Sequence, residues 1–202
     1  MLLSTAYMPC IEYMAYIAQS DCVTIEAHEH YIKQSYRNRA YIATANGIME
    51  LIIPVIQPNG SKTHIRDVQI SYAEPWQKKH WHAIVSAYNS SPYFEYYQYL
   101  FAPFYTQKFT FLWDYNNQFL SIILKLFGIT TSILYSNSFT PLHTIEHDKR
   151  YTLTPKHIST YKTPKYPQVF EEKHGFVPNL SCIDLLCNVG PEAKKNVLYM
   201  GM

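Results

Sequence analysis

The sequence predicts an α/β fold in a single domain spanning residues 1–202. We expect a mostly parallel sheet opened by a βαβ unit, then a β-hairpin, a helical middle segment and a short C-terminal helix. Three observations predict it: helical spacing between two β-branched segments at the start, an Asn-Gly dipeptide between two apolar runs, and later segments of helical period. With 202 residues and 48% hydrophobic content, the chain can bury a substantial core.

The βαβ unit is predicted by residues 2–27. Between "LLSTAY" and "DCVTIEA", the apolar residues Ile11, Met14, Ala15 and Ala18 recur at helical spacing. A crossover of this length favours parallel strands with a right-handed connection. The loop Ala6 to Pro9 then lies at the C-terminal end of the first strand, where ligands of open α/β sheets usually bind.

The hairpin is predicted around Asn46-Gly47, because this dipeptide tolerates the positive φ angles of a type I′ turn. Its second arm, Ile48 to Val55, is long and apolar, and we expect it to be a central strand. "HIRDVQIS" (64–71) is interpreted as another strand or an extended connector.

Three helices are predicted in the middle of the chain. The first has Pro75 at its first helical position, the second has Ser91 as its N-cap, and the third begins at Asp114 and ends at Gly128. "ITTSILYS" (129–136) is the last clear strand.

The C-terminal third begins with an irregular stretch, residues 137–165, rich in Pro, Thr, His and Lys. Such a long loop in a compact domain is typical of a functional lid or a mobile segment. A short helix follows, in which Ser181 and Asp184 have capping-box spacing and Gly190-Pro191 ends the apolar run.

Composition excludes several classes of protein. A net charge of +2 is too small to indicate a nucleic-acid partner. We expect no membrane span, because no apolar run reaches about 18 residues, and the first residues lack the pattern of a secretory signal. The four cysteines lack metal-ligand spacing, so they are interpreted as buried, reduced thiols of a cytoplasmic protein without a metal site.

The basic stretch "KQSYRNRAYI" is the first candidate for chemistry. The forked guanidinium groups of Arg37 and Arg39 suit a carboxylate or phosphate, and Asn38 adds donors and an acceptor of fixed geometry. The alternative is a solvated loop whose arginines pair with Glu26 or Glu29. With six glycines and no phosphate loop, the chain would have to bind an anion through side chains.

Two residues are candidates for a general base. Glu26 directly follows the second predicted strand, although an exposed loop is the alternative. His80 lies on the apolar stripe of a helix, where a hydrogen-bonded core-edge histidine is the alternative. No nucleophile elbow or H-E-x-x-H pattern is present.

Taken together, four segments resemble the WbqC-like protein family: "YMPCIEYMAYIAQSD", "YRNRAYI" with the following "NG" and "LIIPV", "PYF", and "YPQVFEEKHGFVPNLSCIDLLCNVGP". Members often occur with surface-polysaccharide genes, so the resemblance implies a cytoplasmic enzyme of glycan assembly. Many members carry His-Gln-Pro-Asn-Tyr where this chain has Ser4, Thr5 and Ala6 before Tyr7. This departure puts catalysis by the first loop in doubt.

We therefore expect a transferase of surface-polysaccharide or sugar-nucleotide metabolism that binds an anionic small molecule, either a nucleotide sugar or an acyl or phosphate donor. The expected binding residues are Tyr7, Arg37, Asn38, Arg39, Tyr166, Gln168, Asn179 and Ser181, with Glu26 or His80 as the base. The alternatives are a non-catalytic binding or assembly protein and, less favoured, a single-stranded RNA binder. The sequence identifies neither a cofactor nor an oligomeric state.

Overall fold

The strands form three small sheets in the computed structural model, which describes residues 1–157, 159 and 161–201. They are β1 (Leu2–Leu3), β2 (Cys22–Ile25), β3 (Arg39–Thr44), β4 (Gly47–Ile52), β5 (Val55–Ile56), β6 (Gln69–Ile70) and β7 (Ser132–Tyr135). Strands β1, β2 and β7 form a parallel sheet in that order, whereas β3 pairs with β4 and β5 with β6 in antiparallel pairs. The predicted α/β class is confirmed, with a parallel sheet of three strands.

The helices surround one contiguous hydrophobic core. They are α1 (Ile11–Ala18), α2 (Trp76–Tyr88), α3 (Phe94–Phe101), α4 (Leu112–Phe127), α5 (Glu171–His174), α6 (Cys182–Val189) and α7 (Ala193–Leu198). Helix α1 is buried from Ile11 to Ile17 because α6 and α7 pack against it. The predicted βαβ opening is therefore present as β1, α1 and β2, and its strands are parallel.

The hairpin of β3 and β4 turns at the predicted place, and Gly47 takes a φ of +102° there. The central position expected for Ile48 to Val55 is wrong. Strand β4 pairs with β3 alone among the described strands, and Ile48 is 60% exposed. The apolar residues from Ile48 onward therefore belong to an outer arm of the hairpin and not to a strand with neighbours on both sides.

The starts of the middle helices differ from the capping prediction. Ser91 donates to the Tyr88 carbonyl at the end of α2, so it closes that helix and does not begin the next. Helix α4 begins at Leu112, whose N–H is held by the Val68 carbonyl, and Asp114 lies within its first turn. Pro75 is the N-cap of α2, one residue before the predicted position. Gly128 ends α4 as predicted, with a φ of +65°.

The irregular stretch is held along the edge of the parallel sheet. No helix or strand occurs between Ser136 and Phe170 among the residues that the structure describes. The backbone of Leu2 accepts from Lys149 and donates to His147, both at 2.9 Å. The segment therefore covers the outer edge of β1.

Helix α6, the short helix predicted near the C-terminus, is not opened by a capping box and is followed by α7. The Ser181 hydroxyl donates to the Met8 carbonyl at 3.1 Å, and the Asp184 carboxylate accepts bonds from residues outside the helix. Gly190 ends α6 as predicted, with a φ of +56°.

All four cysteines are free, and Cys10, Cys182 and Cys187 are buried. The prediction of burial is wrong for Cys22, which is exposed at the first position of β2. Within the described residues, no helix has both the length and the apolar character needed to cross a membrane.

Candidate functional site

Tyr7 belongs to the first loop, Ala6 to Pro9, and its side chain is completely buried. Its hydroxyl lies 2.9 Å from His80 Nδ1 and 3.2 Å from the Tyr105 hydroxyl. The next residue, Met8, has a φ of +39°, which is uncommon for a side chain of this size. Backbone strain of this kind collects where the surrounding structure fixes a loop, often at functional sites.

His80 lies on the buried face of α2, with 6% of its surface exposed. Its ring packs against Tyr7 and Trp76, with centroids 5.9 and 5.2 Å away. Burial lowers the pKa of His80 to about 4, because the imidazolium would lose its hydration. His80 is therefore neutral at neutral pH and bonded to Tyr7.

The basic stretch is divided between two environments. Arg37 is 1% exposed and makes a two-pronged ion pair with Glu29, with Nε–Oε1 and Nη2–Oε2 distances of 2.8 and 2.5 Å. Asn38 donates to the Ile53 carbonyl at 2.9 Å, which joins the stretch to the end of β4. Arg37 and Asn38 are therefore buried residues that stabilise the fold through these bonds.

Arg39 lies on the hairpin surface. Its guanidinium meets Glu50 on the facing strand at 2.5 Å, and the Tyr41 hydroxyl donates to the same carboxylate oxygen. Arg37 and Arg39 therefore pair with different acids, and the Tyr7 hydroxyl is hydrogen-bonded to His80 and Tyr105. The structure does not gather these three residues at one anion site.

Glu26 is enclosed at the C-terminal end of β2. It accepts bonds from Ser136, Thr140 and Arg150, and the Arg150 contact is 3.0 Å long. Although burial opposes ionisation, these hydrogen bonds and the Arg150 cation hold the pKa of Glu26 below its usual range. A fully bonded carboxylate at 0% exposure is suited to holding residues 136–150 in place.

Tyr166 and Gln168 meet at a second buried carboxylate. The Tyr166 hydroxyl and Gln168 Nε2 donate to Asp184 Oδ1 at 2.6 and 3.1 Å, and the Tyr88 hydroxyl donates to Oδ2 at 3.0 Å. Burial raises the pKa of Asp184. The network joins the segment before α5 to helices α2 and α6.

Asn179 lies at the N-terminus of α1. Its Oδ1 accepts the Glu12 backbone N–H at 2.9 Å, and its Nδ2 donates to Glu12 Oε2 at 3.3 Å. Ser181 continues the contact by donating to the Met8 carbonyl. Of the expected binding residues from the C-terminal third, Ser181 therefore contacts the first loop and Asn179 contacts α1, whereas Tyr166 and Gln168 contact Asp184.

The surface above this contact forms a cleft of about 420 Å³, here called the tyrosine cleft. Its lining includes Tyr36, Tyr41, Tyr161, His157 and Asn179. Tyrosine rings offer apolar faces and hydroxyl groups together, a combination that suits flat or ring-shaped polar ligands. Of the predicted binding residues, Asn179 reaches this cleft directly.

A smaller cavity of about 240 Å³ shares His157 with the tyrosine cleft. Glu12 lines it at 5% exposure, and the hydrogen-bond partners of its carboxylate are neutral: the Tyr16 hydroxyl and the Asn179 amide. Lys149 lines the same cavity, with its Nζ 5.1 Å from the centre of the Tyr16 ring. Within the described residues, neither Glu12 nor Lys149 forms an ion pair.

Sequence reasoning missed Glu12, Tyr36, Tyr41, Lys149, His157 and Tyr161 as a group. Glu12 stands among buried apolar positions of α1, and a carboxylate on an apolar stripe is the signal that could have identified it. The other members come from distant parts of the chain. No local pattern joins them.

Chemically, the two cavities together offer a base, a cation and stacking surfaces. Glu12 can accept a proton or bind a hydroxyl, Lys149 can meet an anionic group, and the tyrosine rings can hold a sugar or a base. No set of three or more His, Cys, Asp or Glu side chains in the described part of the chain is placed to hold a metal ion.

These features define a small α/β protein with a tyrosine-lined cleft beside its first loop. The chain belongs to the WbqC-like protein family, whose profile matches residues 5–156 and 156–196.

A relative from Mycobacterium tuberculosis (strain ATCC 25618 / H37Rv), the "Uncharacterized protein Rv1507c", is 25% identical over 224 residues. The match covers 98% of this chain and 96% of the relative. The similarity therefore extends over nearly the full length of both. No solved structure matches the chain significantly.

Proposed function

We propose that the protein is a cytoplasmic transferase of surface-polysaccharide or sugar-nucleotide metabolism that binds a nucleotide sugar across the tyrosine cleft. The observation that carries the proposal is the buried Glu12 carboxylate, which has only neutral hydrogen-bond partners and lines a cavity next to that cleft. Burying a carboxylate without a cationic partner is costly, which makes Glu12 a candidate for a functional group.

The tyrosine cleft would hold the ring systems of the ligand. Tyr36 and Tyr161 are each 8% exposed, and their rings are fixed by packing against Tyr41 and Tyr16. Fixed aromatic faces bind a ring with little loss of side-chain entropy. Asn179 supplies an amide to a sugar hydroxyl.

The smaller cavity would hold the reacting groups. Glu12 takes the proton of an acceptor hydroxyl, and the acceptor oxygen forms a bond to the sugar carbon of the donor. The bond from that carbon to the phosphate oxygen breaks, and its electron pair leaves with the nucleoside diphosphate. Lys149 offsets the negative charge of the leaving group.

Two of the expected roles change in this proposal. Glu26 and His80 were expected as bases, but each is enclosed by its partners, so we assign them to the stability of the fold. Arg37 and Arg39 were expected to bind the anionic group of the ligand, but both already have carboxylate partners. We assign this role to Lys149 and His157 instead. The four free cysteines support a reducing compartment.

A binding experiment tests the ligand class. We expect a nucleotide sugar to raise the melting temperature and to give a calorimetric binding isotherm, because ligand binding stabilises the native state. Tyr161→Ala should weaken binding about tenfold or more, as stacking on one ring contributes roughly 1 to 3 kcal/mol. The matched control is Tyr99→Ala, since Tyr99 is 67% exposed on α3, away from the cleft.

A turnover experiment tests the role of Glu12. Glu12→Gln keeps the size of the side chain and one of its two acceptor oxygens but removes the base, so transfer should fall about a hundredfold or more while donor binding persists. If Glu12→Gln transferred sugar at the normal rate, Glu12 would not be the base. If no nucleotide sugar bound, the alternative of a non-catalytic binding or assembly protein would be favoured.

A further inference from the structure

The outer edge of β7 is unpaired and apolar. In the described part of the chain β7 pairs with β2 alone, and no isolated bridge involves it. Leu134 is 54% exposed and Tyr135 is 48% exposed, on opposite faces of the strand. The opposite edge of the sheet differs, because residues 147–149 cover β1.

Two residues of β7 direct their backbone N–H and C=O groups away from β2. Ser132 donates its N–H to the Asp21 carbonyl, and Ser136 donates to the Ile25 carbonyl, so the even-numbered residues face β2. Successive residues alternate in direction along a strand. Ile133 and Tyr135 therefore present their N–H and C=O groups to the open side.

Natural proteins usually protect such an edge with lysine, proline, a bulge or a covering segment. Strand β7 carries none of these, and residues 126–145 contain no Asp, Glu, Lys or Arg. A second copy of the same strand can therefore approach without burying a charge or meeting a like charge. This absence of charge favours self-association over an acidic or basic partner.

We propose that two copies of this chain associate through β7, forming a continuous six-stranded sheet across a two-fold axis at Leu134. In antiparallel pairing, Ile133 of each copy exchanges both hydrogen bonds with Tyr135 of the other copy. Leu134 then faces Leu134 of the second copy in a non-hydrogen-bonded pair, where side chains approach most closely. The outward groups match each other under this symmetry, as an isologous interface requires.

The edge also limits the strength of the dimer. Four backbone hydrogen bonds and the apolar contact around Leu134 form a small interface, at the low end of the range for specific complexes. We therefore expect a dimer that dissociates on dilution. The tyrosine cleft is lined by residues from other segments, so the proposal is independent of the proposed function.

Sedimentation over a range of concentrations tests the proposal. At high micromolar concentration the wild-type chain should approach twice the 23.7 kDa of one chain. Leu134→Lys should remain monomeric because two lysines would face each other, whereas Ile56→Lys, at a site 50% exposed on β5, should still dimerise. Mixing Leu134→Lys with Leu134→Asp should restore the dimer through opposite charges. A monomeric wild-type chain at all concentrations would overturn the proposal.

Disulfide trapping tests the register. Cα atoms of a non-hydrogen-bonded pair lie about 4.5 Å apart, which is within disulfide range. In a Cys22→Ser background, which removes the exposed thiol, Leu134→Cys should give an intermolecular disulfide under mild oxidation, and Ile56→Cys should not. Equal cross-linking by both variants, or none by Leu134→Cys, would contradict pairing at Leu134.

Discussion

At the scale of single residues, burial decides the chemical role of each candidate side chain. His80 and Glu26 are both ionisable and both enclosed, yet burial keeps His80 neutral while hydrogen bonds keep Glu26 ionised. Glu12 differs from both, because it lines a cavity and has only neutral partners for its carboxylate. The environment, not the residue type, therefore separates the structural groups from the proposed base.

His80 should give a measurable pH dependence of stability. Its pKa is lowered from 6.5 to about 4, so the unfolded chain binds one more proton between these values. The His80 contribution is thus present above pH 6.5 and is lost as the pH falls towards 4, by about 3 kcal/mol in total. His80→Gln should flatten the dependence of the unfolding free energy on pH in this interval.

The measurement is urea unfolding at a series of pH values. His147→Gln is the matched control for the loss of a histidine, since His147 is exposed. An unchanged slope in His80→Gln would show that the imidazole is protonated equally in the folded and unfolded chains.

At the scale of elements, short connections determine how helices and strands meet. Asn179 closes the start of α1 from a distant part of the chain, and Ser91 closes the end of α2. Gly190 lets α6 turn into the final segment at a φ of +56°, in close contact with Tyr93. These junctions fix the helices around the first loop.

Gly190→Ala should destabilise the protein by about 1 to 3 kcal/mol. A Cβ at this position would lie 2.5 Å from the ring carbons of Tyr93, and residues with a side chain rarely adopt this φ. Chemical denaturation measures the loss. Gly60→Ala is the control, because it has a similar φ of +56° but no atom within 4 Å of the new Cβ.

The difference between the two variants contains the clash with Tyr93 and any extra backbone strain from the ψ of −126° at Gly190, and the Tyr93→Ala background separates the two. Should both variants lose the same free energy, the contact with Tyr93 would contribute nothing. Adding Tyr93→Ala to Gly190→Ala should then recover stability only if the clash is real.

At the scale of the whole molecule, buried charge joins the irregular stretch to the parallel sheet. Arg150 is 0% exposed and contacts Glu26, Asp148 and the Thr140 carbonyl. Residues 137–150 are therefore held at the C-terminal end of β2 and along β1. Residues 137–150 form a strap that is hydrogen-bonded to Glu26 and to the edge of β1.

Arg150→Met should destabilise the chain by about 3 to 5 kcal/mol, because Glu26 would remain buried without its cation. Limited proteolysis within residues 137–150 should also become faster, since the strap loses the Arg150 bond to Glu26 and the internal Arg150 bond to the Thr140 carbonyl. Adding Glu26→Gln should recover part of the stability in a double-mutant cycle. If the double variant were no more stable than Arg150→Met, the two charges would not be coupled.

The sequence by itself determined the local features: the βαβ opening, the Asn46-Gly47 turn, the helical segments and the end of α4 at Gly128. Each depends on spacing or on the φ preference of one or two residues, which neighbouring positions encode. The helix starts at Ser91 and Asp114 were wrong because competing partners decide them: the Tyr88 carbonyl acts across a turn, and the Val68 carbonyl acts from a residue far back in the chain, just before β6.

Only the tertiary structure decided the partners of the charged residues and the composition of the candidate site. Arg37 faces Glu29, Arg39 faces Glu50, and the tyrosine cleft combines Tyr36 and Tyr41 with Tyr161 and Asn179. It also decided that β4 and β7 are outer strands. Such contacts join residues that are far apart in the chain. The spacing of apolar residues indicates which face of a helix or strand is apolar, but it does not indicate which other element packs against that face.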